Sequence, residues 1–421
     1  MKILYVSQYF PPEMGAPAAR ASELARHWSQ AGHEVTILTG FPNHPTGRVH
    51  EDYRRKLYYL IARERFEQAE VVRTWLLPFP NRKPYERILN YSSFCASAAM
   101  TGMFLARPDV IIATSPQLLA AVSGWWLSRV KRVPFVFEVR DLWPESLAAV
   151  GVGSPNSALV RSLTSIAGFL YRNSEHIVVV TPAFRDFLIE NWKLPPAKIS
   201  VVENGVETDL FRPRDGEQLR SELGIQNRFV VSYIGTIGMA HGLETLIEAA
   251  AELQKKLPEA VFMFVGEGSE KERIRKLADS RALSNVRFIG EQPRDRIPEY
   301  ISASDACIVS LKKDELFKTV IPTKMLEFMS CARPVILTVD GQAREIIESA
   351  KAGIYAEPGN STALAEAIAQ LRSSHSLRDL LGNNGRRHIT AHFSRQQTAA
   401  LYISVLERIL GMAAQKRSAA A

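Results

Sequence analysis

The sequence predicts a parallel α/β protein built from two Rossmann-like halves, and three observations carry that prediction. Short apolar runs of strand length alternate with helical patterns along most of the chain. Each half opens on a strand that feeds a glycine-containing loop and then an amphipathic helix. The 421 residues suit two domains, each able to bury a full core. With 46% hydrophobic and 23% charged residues, the composition is that of ordinary globular protein, which excludes disordered, collagen-like and low-complexity architectures.

Lys2–Val6 is the first strand, and it leads into Pro11-Pro12-Glu13-Met14-Gly15-Ala16-Pro17. A helix follows with Leu24, Ala25 and Trp28 on one face and Gly32 as its C-cap. Further strands are expected at Val35–Thr39, Val110–Ala113, Phe135–Val139 and Ile177–Val180. The turn-rich stretch from Val201 to Glu207, then Phe211-Arg212-Pro213, reads as a domain junction. After it the series restarts with Phe229–Ile234, Val261–Val265, Val286–Ile289, Ala306–Ser310 and Pro334–Leu337. The loop Gly235-Thr236-Ile237-Gly238-Met239-Ala240-His241-Gly242 leads to a helix with Leu243, Leu246, Ile247, Ala250 and Leu253 on one stripe. Such a loop lets backbone N–H groups approach an anion, and the helix dipole favours negative charge there. Two such loops, one per half, imply a ligand cleft between paired domains. Neither has the Gly-x-Gly-x-x-Gly spacing of a dinucleotide site or a Walker lysine, so dehydrogenase and P-loop readings rank low.

The formal charge is +8. From Pro45 to Phe135, 14 Lys and Arg stand against 7 Asp and Glu, which places nearly the whole excess in one quarter of the chain. A solvated basic face is the plain reading. No nucleic-acid-binding motif accompanies the charge, so nucleic acid is not an expected partner. An anionic membrane surface suits it better, because Trp125-Trp126 and Tyr58-Tyr59 supply interfacial aromatics nearby. Cys95, Cys307 and Cys331 sit in apolar contexts without Cys-x-x-Cys spacing, which implies buried thiols and a reducing cytoplasm. The N-terminus reads as a strand rather than a leader, and no run reaches ~18 apolar residues, so no membrane-spanning helix is expected.

Val320-Ile321-Pro322-Thr323-Lys324-Met325-Leu326-Glu327 starts a helix, with Pro322 in its first turn and Lys324 and Glu327 on one face. That pair suits a nucleoside diphosphate, the ammonium meeting phosphate and the carboxylate accepting from ribose hydroxyls. A surface ion pair is the competing reading.

In these segments the chain resembles the retaining glycosyltransferases of family 4, which have the GT-B fold. The resemblance rests on the Gly15 loop, the junction Val202-Glu203-Asn204-Gly205-Val206-Glu207 and the loop Gly235 to Gly242. It is extended by Phe264-Val265-Gly266-Glu267-Gly268, Val286-Arg287-Phe288-Ile289-Gly290 and Lys324-Met325-Leu326-Glu327-Phe328 through Val335. Phe41-Pro42-Asn43-His44-Pro45-Thr46-Gly47 and Arg140-Asp141-Leu142-Trp143-Pro144-Glu145-Ser146 point to a surface-polysaccharide subgroup similar to the N-acetyl-L-fucosamine transferases.

The resemblance implies an acceptor-binding domain over 1–205, a donor-binding domain over 206–385 and a returning helix with a tail over 386–421, the two domains facing across a cleft. It implies that Glu327 holds the donor ribose and that Gly15 approaches the donor phosphates. Lys324, Gly235, Thr236 and His241 complete the expected donor set. Asp141 is the candidate for assisting or positioning the acceptor, or else a turn aspartate; Arg140 and His44 are candidate acceptor contacts, His44 equally a turn residue. The family's first glutamate, eight positions before Glu327, is here Thr319, and its glycine-loop Arg and Lys are replaced by Thr236 and His241. Diphosphate neutralisation then falls on Lys324, the helix N-termini and His241.

Without an Asp-x-Asp motif, the reaction is expected to need no metal or other cofactor. The expected enzyme moves a sugar from a nucleotide donor, uridine-linked, to a lipid-diphosphate-linked saccharide in O-antigen or capsule biosynthesis. It would work in the cytoplasm against the inner face of the membrane. A sugar-nucleotide 2-epimerase and a non-catalytic nucleotide-sugar-binding scaffold are the alternatives.

Overall fold

The computed structural model describes the chain except residues 45, 81–82, 147–156 and 421, and the side chains of 57, 58, 84 and 416–420. The chain folds as two units, Met1–Glu203 with Arg395–Ala421, and Asn204–Ser394. Arg386, expected to begin the returning segment, lies instead in the helix His375–His392 of the second unit. There its guanidinium donates to the carbonyls of Thr208, Phe211 and Ser330, which holds it in that unit.

The first unit is an eight-stranded sheet. Its strands are β1 (Lys2–Val6), β2 (Glu34–Gly40), β3 (Ile61–Phe66), β4 (Ala69–Thr74), β5 (Val110–Thr114), β6 (Phe135–Val139), β7 (His176–Val179) and β8 (Ile199–Val201). They run in the order β3-β4-β2-β1-β5-β6-β7-β8, all parallel except the β3–β4 hairpin. The central strands are buried along their whole length, as a sheet covered by helices on both faces requires. β3 and β4 are absent from the sequence reading. Their turn runs through Glu67 at φ +54 rather than a glycine, and β3 alternates Arg63, Glu64 and Arg65 along a solvent-facing edge. A charged edge strand resists pairing with another chain, but its charges hide the apolar run that marks a strand.

The helix Arg395–Ala420 packs onto the helix Ala16–Gln30 through Ala399, Tyr402, Val405, Leu406 and Ile409, all buried. Trp28 lies edge-on to Tyr402 at 5.2 Å and its indole N–H donates to the Ala399 carbonyl. Arg395 Nε meets Glu23 Oε2 at 2.8 Å in the same contact. Beneath it, Arg20 pairs with Glu138 on β6 at 2.9 Å, both side chains essentially without solvent. Arg20 also donates to the carbonyls of Val202 and Glu203, and Tyr5 donates to the second Glu138 oxygen. Burial pushes the Glu138 carboxyl up, but the Arg20 and Arg140 charges outweigh it and hold the group ionised.

The second unit is a six-stranded, wholly parallel sheet. Its strands are β9 (Phe229–Ile234), β10 (Ala260–Val265), β11 (Val286–Ile289), β12 (Ala306–Ser310), β13 (Val335–Thr338) and β14 (Gly353–Tyr355). The order is β11-β10-β9-β12-β13-β14, with β9 at the centre. Leu243, Leu246, Ile247, Ala250 and Leu253 all enter the core, as their spacing requires. β8 and β14, three residues each, are too short to stand out from turns in sequence.

Replacing Arg20 by Met should destabilise the first unit by ~3–5 kcal/mol, because it leaves Glu138 buried without its cation. All six tryptophans lie in that unit, so tryptophan fluorescence during urea unfolding reads this loss selectively.

Candidate active site

In the second unit, the loop after β9, the loop after β10 and the start of the helix Thr323–Ser330 meet at the carboxyl ends of the strands. This is where parallel α/β sheets place ligands. Tyr233, next to last in β9, joins the pieces. Its hydroxyl donates to the Thr236 carbonyl at 2.6 Å and accepts from Lys324 Nζ at 2.9 Å. The ammonium also lies 4.1 Å from the Tyr233 ring centroid, a cation–π contact. Gly235 makes the approach possible: its φ is +135°, and a Cβ there would stand 2.8 Å from Lys324 Nζ. Burial lowers the Lys324 amine to about 7, although the Glu327 charge pulls it upward.

His241 closes the same loop in the short turn Met239–His241. Its carbonyl accepts from Ser310 Oγ at 2.7 Å, and its ring lies 5.9 Å from that of Tyr233. Burial, then the charges of Lys324 and Lys312, lower the imidazole to about 2. His241 is therefore neutral in this arrangement. Its buried Nδ1 has no hydrogen-bond partner among the described residues.

Glu327 lies in the same helix as Lys324 and is 8% exposed. Its Oε1 accepts from Arg294 Nη1 at 3.0 Å, and the Arg294 guanidinium sits 5.0 Å from the Phe211 ring centroid. Pro322 stands at the N-cap, one position before the first turn where sequence placed it. Thr319 ends the turn Leu316–Thr319 and its hydroxyl donates back to the Leu316 carbonyl at 2.6 Å. Gly235, Thr236, His241, Lys324 and Glu327 thus share one region of the second unit. Sequence reasoning missed Tyr233 and Arg294. A polar-tipped residue at the carboxyl end of a buried strand was the available signal for Tyr233; Arg294 sits in a loop without pattern.

The remaining candidates lie in the first unit. Gly15 is the N-cap of the helix Ala16–Gln30 at φ +115°. Asp141 follows β6 and both its oxygens are engaged, Oδ2 by Trp143 Nε1 at 3.0 Å and Oδ1 by the Ser146 hydroxyl. These are turn contacts, the second of the two roles open to it from sequence, and burial raises its pKa. Arg140 Nε donates to the Ser115 carbonyl at 3.1 Å, and burial lowers its pKa. His44 donates its backbone N–H to Glu13, and its ring packs 5.2 Å from that of Tyr9. Among the described residues, no group of three or more His, Cys, Asp and Glu is placed to hold a metal ion.

Two family models match successive parts of this chain. The glycosyl transferase 4-like domain model matches residues 15–205, and the glycosyl transferases group 1 model matches residues 215–388. The chain belongs to the family 4 glycosyltransferases. It is an enzyme of that class, with the GT-B fold. The putative colanic acid biosynthesis glycosyl transferase WcaI of Escherichia coli is 26% identical over 386 residues, covering 88% of this chain and 92% of that protein. The D-inositol 3-phosphate glycosyltransferase of Corynebacterium jeikeium is 27% identical and covers 77% and 80%. Among solved structures, the sucrose-phosphate synthase of Thermosynechococcus elongatus superposes with a TM-score of 0.76 at 21% identity, covering 98% of this chain and 99% of that one. HepE of Anabaena, solved with UDP and glucose, gives 0.74 at 20%, covering 97% and 100%.

The Lys324 amine, poised at about 7, gives a signed expectation for anion binding. Below that pH the ammonium is already present; above it, binding must draw a proton from solvent. Affinity for a nucleoside diphosphate such as UDP should therefore fall as pH rises from about 7 to 9, by up to roughly tenfold per unit. Calorimetry should show proton uptake over the same range, and Lys324→Met should flatten the slope.

Proposed function

We propose that this enzyme transfers a sugar, N-acetyl-L-fucosamine in the first instance, from a uridine-diphosphate donor to a lipid-diphosphate-linked saccharide in surface-polysaccharide biosynthesis. The observation that carries the proposal is the Lys324 ammonium held against the Gly235 loop, with Glu327 on the same helix. WcaI, named for colanic acid biosynthesis, supports the polysaccharide setting, and WaaG, described as involved in lipopolysaccharide biosynthesis, has a like fold with a TM-score of 0.69. The HepE structures with UDP and with UDP-glucose support the uridine donor.

Breaking the bond between sugar and diphosphate builds negative charge on the leaving group. Preorganised donors aimed at that charge lower the barrier most. Lys324, the loop amides from Gly235 and a neutral His241 would take the diphosphate, and Glu327 would accept from the ribose. Retention of configuration places the acceptor hydroxyl on the leaving-group face, where the departing phosphate takes its proton. No metal ion and no protein base are then required. Asp141, its oxygens already engaged, would order the Trp143–Ser146 turn rather than take a proton.

The acceptor's lipid calls for a membrane surface, and the first unit offers a fitting one. The helix Pro84–Met103 exposes Tyr85, Ile88, Leu89, Met100 and Met103 along one side, followed by Phe104 at 83% exposure. Lys131 Nζ donates to the carbonyls of Met103 and Leu105, which joins this end to the helix Leu118–Lys131 with its exposed Trp126 and Val130. Arg87, Arg107, Arg129 and Arg132 are exposed around these residues. Apolar side chains ringed by cations suit an anionic bilayer interface. Trp125 does not take the interfacial role expected from sequence, because it packs at 4.7 Å against Phe169. The Tyr58 side chain lies outside the described residues. No described helix is long and apolar enough to cross a membrane.

The deciding assay incubates the chain with a panel of nucleotide sugars and polyprenyl-diphosphate-GlcNAc, reading nucleoside diphosphate release and product mass. Acceptor-dependent release with one donor is expected, reduced at least ~100-fold in Lys324→Ala and Glu327→Ala. Conversion of donor alone would establish an epimerase, and donor binding without turnover a scaffold. In flotation with vesicles containing anionic lipid, the chain should co-float at low salt. Met100→Ser with Phe104→Ser should abolish that binding, and neutral vesicles should not support it.

A further inference from the structure

The first unit contains a cavity of about 490 Å³ that no part of the donor chemistry uses. Pro12 and Glu13 form one wall; Pro42, Asn43, Val49 and Arg54, with the charged and imidazole residues between them, form most of the rest. Arg48 and Arg54 face it together with the imidazoles of His44 and His50, against Glu13 and Glu51. Burial lowers the His44 pKa, so the arginines are the cations of this lining. Glu51 is matched by Arg54 at 3.5 Å, and His50 lies 3.4 Å from Asp52. The Arg48 guanidinium has no partner among the described residues.

Glu13 is built into the wall rather than offered to solvent. It is 6% exposed, and its Oε1 accepts the backbone N–H groups of both Asn43 and His44 at 2.9 Å. Its Oε2 is buried without a hydrogen-bond partner among the described residues. Arg73 on β4 is the nearby cation, but its Nε meets Glu64 of β3 at 2.6 Å, and its other nitrogens donate to the carbonyls of Gly40 and Pro11. Tyr9 and His44 complete the titratable surroundings of Glu13. The Asn43 side chain is fixed in turn by Asn90, which also accepts from Gln8. A buried carboxylate that clamps two successive amides fixes the backbone at the start of the segment carrying His44, Arg48 and His50.

We propose that this cavity binds a phosphate or diphosphate group through Arg48 and Arg54, and that Glu13 is the positioning residue that holds its wall. The ligand is the diphosphate-bearing end of the saccharide acceptor; that identity rests on the transferase reading, whereas the anion site does not. Arginine suits the task because its planar fork matches phosphate oxygens in pairs. Burial raises the Glu13 carboxyl to about 7, against the pull of the two amides; Glu13 acts on the ligand only through the Asn43–His44 backbone, since its ionised form would repel an anion.

Inorganic pyrophosphate is the probe for the site itself. It is titrated calorimetrically into Lys324→Ala protein, from which the ammonium of the donor site has been removed. Adding Arg48→Ala and Arg54→Ala, both at exposed positions, should weaken the remaining binding at least roughly tenfold. Unchanged binding would overturn the proposal whatever reaction the enzyme performs. Glu13→Ala should weaken it comparably, and Glu13→Gln, which keeps an oxygen for the two amides, should restore it; equal losses in both would overturn the positioning role. In the transferase assay, the arginine variant should raise the acceptor KM and leave the donor KM unchanged. A fall in pyrophosphate affinity without that rise would mark a site for free phosphate and overturn the acceptor assignment. Failure of the transfer reaction in the wild-type chain would count against the functional reading alone.

Discussion

The second unit is organised around an ammonium group held by a phenol oxygen and a ring face. Lys324 reaches Tyr233, and Tyr233 reaches the Thr236 carbonyl, so one side chain fixes both the cation and the loop beside it. The contact is a poor substitute for a phosphate. Burial removes water from the amine, and a neutral hydroxyl returns only part of what solvation supplied. An arriving diphosphate would restore full charge pairing to a group already in place. Preorganisation of this kind favours the state in which negative charge has accumulated, which is the leaving-group side of glycosyl transfer. Gly235 is required by the same logic, since any Cβ would occupy the space that the ammonium needs.

The first unit solves a different problem with buried charge. Arg20 and Glu138 satisfy one another at the centre of the sheet, and the spare donors of Arg20 hold the carbonyls of Val202 and Glu203, where the chain leaves the unit. The returning helix is then fixed on the outer face by Arg395 with Glu23 and by Tyr402 with Trp28. Both arginines sit where their charge is matched by a carboxylate, which is why burial is tolerated. Lys324 has no carboxylate within ion-pair distance among the described residues, and the contrast separates a structural cation from one poised for a ligand.

Much of this was legible in the sequence where one residue type does one job. Buried parallel strands announced themselves as apolar runs, and the Leu243 to Leu253 stripe and the Lys324–Glu327 spacing marked helix faces correctly. The β3–β4 hairpin was hidden because its turn uses Glu67 at positive φ and its edge is charged. Arg294 and Glu13 were hidden for a related reason. Each acts through a partner distant in sequence, Glu327 for the first and the Asn43–His44 backbone for the second, so local pattern carries no trace of the contact. Arg386 was misassigned because a helical pattern continues past it, whereas the unit boundary falls at the break between His392 and Arg395.

Thr319 bears on how the donor sugar is held. In the family pattern that position carries a glutamate; here a hydroxyl satisfies itself on the Leu316 carbonyl one turn back. A hydroxyl engaged in this way keeps acceptor lone pairs but carries no charge. Charge-assisted hydrogen bonds are roughly twice as strong as neutral ones, so on the proposed donor roles a hydroxyl here would hold the sugar less tightly than a carboxylate. The surviving carboxylate, Glu327, is held by Arg294, and the cation, Lys324, by Tyr233. The groups assigned to ribose and diphosphate are therefore the ones with built supports, while the position assigned to the sugar carries a hydroxyl that turns back on its own segment. On the proposed roles, discrimination among donor sugars would come from neutral contacts and shape, and grip on the common nucleotide from the fixed charges.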